Sequence, residues 1–336
     1  MKRATTSDTL RRIGGEDLVA VGVCSAEPFP DVEAELLRRK TSGLSSRLTF
    51  TFNRPSVSTD VRKSFPWAER IVVGAATYLP EAGSPEGSPG ETGRVARFAT
   101  DDHYEPLRIG LLAIADHLIS QGWNAEVLVD DNRLVDRAAA VRAGVGWWGK
   151  SSMVLAPKYG PWILLGSVVT DAPLAVDTPM ERSCGSCVAC IPACPTGAII
   201  APGVIDARLC LAAILQAPGP IPVELRRAVG DRVYGCDDCL DACPPGERWL
   251  AGSTIDRGTP SLIGILNASD EELLRVYDHF YVPKRDPNYL RRNALVALGN
   301  NGGADALEAA RTYLDHDSGM LREHASWAIA EIEARC

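Results

Sequence analysis

The feature that most restricts this chain is the spacing of its cysteines. Of the ten in 336 residues, eight fall between Cys184 and Cys243, leaving only Cys24 and Cys336 outside. Cys184, Cys187, Cys190 and Cys194 form a C-x2-C-x2-C-x3-C run with Pro195 directly after it. This is the bacterial ferredoxin arrangement, in which three closely spaced thiolates hold one 4Fe-4S cluster and the fourth ligates a second. Cys236, Cys239 and Cys243, again followed by a proline, Pro244, complete the set. The pattern assigns Cys184, Cys187, Cys190 and Cys243 to one cluster. It assigns Cys194, Cys236 and Cys239 to the other, with Cys210 the remaining cysteine in the neighbourhood and hence the eighth ligand. Zinc also accepts four thiolates in C-x2-C pairs, but a triple C-x2-C-x2-C run ending in C-P is foreign to its sites. A secreted disulfide framework fits neither the clustering nor the chain length.

Composition sets the outer bounds. A net charge of −8 argues against a basic, nonspecific nucleic-acid coat. The longest apolar runs, Leu18–Cys24 and Ile71–Leu79, are strand-sized and too short to span a bilayer. The opening MKRATTSDTLRR leads into no apolar signal region. The expectation is a soluble, cytoplasmic protein with no membrane partner.

Residues 1–183 read as mixed α/β. Strands are expected at Leu18–Val23, Ile71–Tyr78, Ala125–Val129 and Trp162–Thr170, all rich in β-branched or aromatic residues. A helix over Pro106–Ser120 presents Leu107, Leu111, Ile114 and Leu118 on one face. A second is expected from Arg133 to Ala143, capped by Asn132 and stopped by Gly144. Residues 82–93 (AGSPEGSPGETG) read as a surface loop. The cysteine region, 184–267, forms a second unit. The tail, 268–336, contains four helical stretches whose apolar faces suit either a HEAT-like pair of hairpins or an ordinary helical cap. Too short to bury a core alone, it should pack on the rest.

Clusters move electrons but seldom remake carbon bonds, so the chemistry belongs elsewhere. Asp130 stands where a strand ends and a helix is expected, and α/β folds collect ligands outside the carboxyl ends of their strands. The plainer reading is that Asp130 or Asp131 caps the next helix.

Several segments carry a resemblance. Val129-Asp130 through Arg137-Ala138-Ala139-Ala140, Gly144-Val145-Gly146-Trp147 with Gly149-Lys150, and Tyr159-Gly160-Pro161-Trp162 are similar to the epoxyqueuosine reductase family. So are Gly166, Thr170-Asp171, Cys184–Ile199, Tyr234–Pro244 and the tail's Arg291–Asn300. Departures include Arg133, where the family commonly has proline, Trp148 within the G-W-x-G-K-like run, and the region before Ile71.

The resemblance implies a reductase that converts epoxyqueuosine to queuosine at the wobble position of tRNA, using cobalamin beside two 4Fe-4S clusters. Its fold would be α/β: a cobalamin-binding domain akin to reductive dehalogenases, an inserted two-cluster ferredoxin-like domain and the helical tail. By position, Asp130 matches the proton donor and Cys210 the eighth cluster ligand. Val154, Leu165, Ala212, Cys236 and Asp237, together with Asp130, match cobalamin contacts. The partners implied are a tRNA anticodon stem-loop and an external electron donor such as a flavodoxin or ferredoxin, with the chain acting as a monomer. Lys284, Arg285, Arg291 and Arg292 are the candidate phosphate contacts, or else a solvated helix end. A corrinoid reductase with a non-tRNA substrate and a ferredoxin-type electron-transfer protein remain the alternatives.

Overall fold

The computed structural model describes residues 6–78, 92–250 and 259–335. Its centre is a four-stranded sheet in the order Ala20–Ser25, Arg70–Thr77, Ile163–Thr170, Ala125–Val129, every neighbouring pair antiparallel. These are the four strands anticipated from sequence. The expected loop over 82–93 lies almost wholly outside the described residues.

Side-chain alternation sends each strand's residues into two separate cores. Val72, Leu164 and Val168 pack with Leu107, Leu111, Ile114 and Leu118 of the Tyr104–Ser120 helix and with Leu10 of Ser7–Gly14. On the opposite face, Ile71, Val73, Leu165 and Val169 meet Ala138, Ala139 and Ala140 of the Asp136–Arg142 helix. Covered on both faces, the Ile163–Thr170 strand is buried at every position. That burial accounts for its nearly continuous apolar sequence.

The second helix differs from expectation. It begins at Asp136, three residues late, and neither Asn132 nor Asp130 caps it. Asp131 instead accepts from the backbone N–H of Arg133 (2.8 Å) and from its guanidinium (2.5–3.0 Å). This local turn competes with helix and leaves residues 130–135 as a loop at the strand's end.

The cysteine region is tied into both of its neighbours. Arg232–Tyr234, just before Cys236, pairs in parallel with Arg94–Val95, across the 183/184 boundary. The tail helices Asn288–Asn301, Ala304–Arg311 and Gly319–Glu333 share one core with Val95, Val233, Tyr234 and Leu262. The tail therefore packs on the rest, as its length demands. Among the described residues, no helix is long and apolar enough to cross a membrane.

Gly22 marks the tightest contact between the first strand and the site-bearing half. A Cβ there would run into the carbonyl of Ala143 and lie 3.1 Å from Val145 Cγ2. Gly22→Ala is expected to lower stability by about 1–3 kcal/mol in a denaturant titration, through backbone displacement. An unchanged midpoint would show that the end of the Asp136–Arg142 helix yields freely.

Candidate active site

The eight thiols sort themselves into two groups. Cys243 is electrostatically coupled to Cys184, Cys190 and Cys187, and Cys190 to Cys184 and Cys187. Cys239 feels Cys236, Cys210 and Cys194 before Cys190, and Cys210 feels Cys194. The couplings run mainly within the two sets that the spacing proposes as ligands, with Cys239 also reaching Cys190 across them. Cys194, Cys210, Cys236 and Cys239 line one cavity with Pro195, Ile199, Ile205 and Leu211.

The geometry suits a cluster rather than one ion. Four thiolates on a single zinc lie about 2.3 Å from it. Thiols spaced around a cavity fit a polynuclear iron–sulfur core instead.

Electrostatics point the same way. Burial pushes the Cys236 thiol up to about 12 and Cys243 to about 11, and raises Cys239 and Cys210. Gathering thiolates here is unfavourable until a metal core compensates their charge. Cys194 is the exception: burial would raise it, but the N–H groups of Thr196, Ala198 and Ile199 and the Thr196 hydroxyl outweigh burial and lower its pKa. Ala198 N–H donates to its sulfur at 3.2 Å.

Asp130 occupies the carboxyl end of Ala125–Val129 with φ +49, a left-handed conformation that a non-glycine residue adopts at a cost. Val129 pairs with Gly166, and the register carries Asp130 to the level of Leu165. The residue is exposed to solvent. Partial desolvation, then repulsion from Asp136 and Asp131, raises its pKa above the ordinary 3.8. Tyr104 and Tyr234 are both within electrostatic reach of its carboxylate. Sequence reasoning passed over both tyrosines, although Tyr234 lies two residues before Cys236 in the same motif.

The other candidate residues fall on either side of this corner. Val154 and Leu165 belong to one apolar cluster with Ile163 and Leu128. Ala212 lies half-buried in the Leu211–Gln216 helix, two residues after its N-cap, Cys210. Cys236 and Asp237 line a further, shallow cleft with Arg94, Arg232 and Gly235. Asp237 is buried and accepts from the backbone N–H of Arg97 (2.8 Å), whose guanidinium donates to Asp241 (2.5 Å) and stacks 4.8 Å over Trp162.

The proposed basic patch breaks apart. Lys284 and Arg285 are exposed, with φ of +54 and +51. Arg291, however, is buried and committed to Asp270 (2.6 Å) and the Ala268 carbonyl (2.8 Å). Arg292 is fully buried, donating to the carbonyls of Ile214, Leu215, Ala217 and Gly219. Neither can meet a phosphate, because their helix turns them inward. The exposed Tyr281 sits beside the surviving pair instead.

Residues 183–246 match the model of a 4Fe-4S double cluster binding domain. An epoxyqueuosine reductase from Shewanella oneidensis is 32% identical, the match covering 94% of this chain and 85% of that protein. A solved epoxyqueuosine reductase with an epoxyqueuosine-modified tRNA-Tyr stem-loop superposes with a TM-score of 0.85 at 28% identity, covering 97% of this chain and 88% of that one. The Bacillus subtilis epoxyqueuosine reductase, in a form with its catalytic aspartate loop swung out of the active site, gives 0.85 at 27% identity, over 97% and 90% of the two chains. With this identity sustained over nearly its whole length, the chain belongs to the epoxyqueuosine reductase family.

Proposed function

We propose that this protein reduces epoxyqueuosine to queuosine at the wobble position of tRNA, in the cytoplasm, as a monomer supplied with electrons by a flavodoxin- or ferredoxin-like donor. The observation that carries the reading is Asp130: a carboxylate of raised pKa, in a left-handed conformation at the end of its strand, with two tyrosines within electrostatic reach. The B. subtilis relative's catalytic aspartate loop supports the same assignment.

Restoring the alkene from the epoxide and releasing its oxygen as water takes two electrons and two protons. When bound, cobalamin supplies a strongly reducing cobalt centre, and the two 4Fe-4S clusters bring electrons one at a time. A corrin needs broad apolar walls next to the electron source. Leu165, at the level of Asp130, and Val154 are buried in one apolar cluster and would back such a wall rather than form its surface, while Ala212 and Asp237 neighbour Cys210 and Cys236 of the second thiol group. These residues would hold it. Cys184, Cys187, Cys190 and Cys243 would take one cluster and Cys194, Cys210, Cys236 and Cys239 the other.

Of the two protons, solvent supplies one and Asp130 contributes the other. Its raised pKa keeps a larger protonated fraction near neutrality than an ordinary aspartate, and substrate closing over it would add desolvation in the same direction. Tyr104 and Tyr234, both held as neutral phenols by burial, narrow the access of water. Lys284 and Arg285 meet the stem-loop backbone, with Tyr281 available to stack on an unpaired base.

Asp130→Asn should keep iron and corrin yet lower turnover on epoxyqueuosine-containing tRNA by about 10²–10⁴-fold; near-normal turnover would end the proton-donor assignment. A carboxyl whose folded pKa is raised lowers stability as pH climbs above its unfolded value. The same variant should therefore melt no lower than wild type at neutral pH, and a clear drop would place Asp130 in a structural role. The acid form is the active one, so single-turnover rates should fall as pH rises through the pKa of Asp130; a flat profile would point to another donor. Cys210→Ala should lose about half the iron of the reconstituted protein, about four atoms of about eight. Full iron content in that variant would displace Cys210 from the ligand set.

A further inference from the structure

One tail residue bonds two of the three chain segments that carry the thiols of the second group. Asn293 lies on the Asn288–Asn301 helix and is completely buried. Its Nδ2 donates to the carbonyls of Leu215 (3.0 Å) and Val233 (2.8 Å). Its Oδ1 accepts from Arg292 Nε (3.0 Å) and Nη2 (2.8 Å). Both amide hydrogens and both lone pairs are thus in use, which leaves the side chain one orientation.

The two carbonyls belong to particular places. Leu215 lies on the Leu211–Gln216 helix, whose N-cap is Cys210 and whose Ile214 N–H bonds the Cys210 carbonyl at 2.9 Å. Val233 lies at the centre of Arg232–Tyr234, three residues before Cys236. Arg292 completes the brace from the same turn, donating to Leu215 (3.1 Å), Ile214 (3.3 Å) and Ala217 (2.8 Å). Cys210 and Cys236 both line the thiol cavity.

We propose that Asn293, held by Arg292, is a positioning residue for the cluster bound by Cys194, Cys210, Cys236 and Cys239. The tail is then part of the redox site's scaffold: it sets the separation of two thiols that arrive from segments 26 residues apart in sequence. The bond network fixes this distance through backbone carbonyls, so no tail side chain need touch the metal. The inference rests on those four cysteines holding a cluster.

The same helix provides a matched control. Asn300 Nδ2 also bonds two carbonyls, Arg226 (2.8 Å) and Gly230 (2.9 Å), on the Val223–Val229 helix and the residue that ends it, a segment with no cysteine. Asn293→Ser, Asn293→Asp and Asn300→Ser would each be reconstituted anaerobically with iron and sulfide, assayed for iron per chain, and examined by EPR after reduction. The first two should lose about half the iron, or keep it with one of two cluster signals altered and its midpoint potential moved. The signal from the Cys184 group should persist, and Asn300→Ser should match wild type in both readouts.

Wild-type iron and spectra in both Asn293 variants would overturn the proposal. So would equal losses from both clusters, the same loss in Asn300→Ser, or failure of the Asn293 variants to fold while Asn300→Ser folds. Each of those outcomes would make the amide a general stabilising contact. A wild-type protein that binds no cluster through the Cys210 group would instead remove the reading on which the inference stands.

Discussion

Four thiols from three separate segments, Cys194, Cys210 and the Cys236–Cys239 pair, must be held around one cavity although their own chemistry opposes it. Burial raises three of them well away from the thiolate state that metal demands. Their positions cannot come from mutual attraction in the empty protein. They come from the parallel pairing of Arg232–Tyr234 with Arg94–Val95, from the Arg97–Asp237 contact, and from the Arg292–Asn293 bonds to Leu215 and Val233. The three contacts reach into three different parts of the chain, so the α/β half, the cysteine region and the tail are bound together where electrons would pass.

This arrangement explains why an acidic protein can carry two fully buried arginines in and around its tail. Arg226 and Arg292 are among the largest buried side chains, and each is consumed by carbonyl or carboxylate partners. Five N–H donors in a planar fork can tie several loop carbonyls at once, which lysine cannot. Of the four cations that look available for nucleic acid in sequence, Arg291 and Arg292 are therefore spent inside, and Lys284 and Arg285 are exposed on a strained left-handed turn.

Short-range pattern made much of this legible. The four strands followed from runs of β-branched residues, the long helix from the recurrence of Leu107, Leu111, Ile114 and Leu118, and both thiol groups from C-x2-C spacing. What stayed hidden depends on partners distant in the chain. Nothing in the run Arg291-Arg292-Asn293 says that Arg292 faces inward, because the carbonyls it meets lie more than seventy residues earlier. Asn132 looked like a helix cap, but Asp131 folds back on Arg133 and delays the helix to Asp136. Tyr104 reaches Asp130 from a helix on a separate stretch of the chain, a meeting that only the sheet order brings about.

The most direct test is a single turnover with the full chain. The protein would be reconstituted anaerobically with iron, sulfide and cobalamin, reduced, and mixed with a tRNA stem-loop carrying epoxyqueuosine, while visible and EPR spectra are recorded. The account predicts bound corrin, two reduced cluster signals that decay on mixing, and queuosine formed in proportion to enzyme. Reduced clusters with no retained corrin and no queuosine would contradict it and leave an electron carrier in place of a reductase.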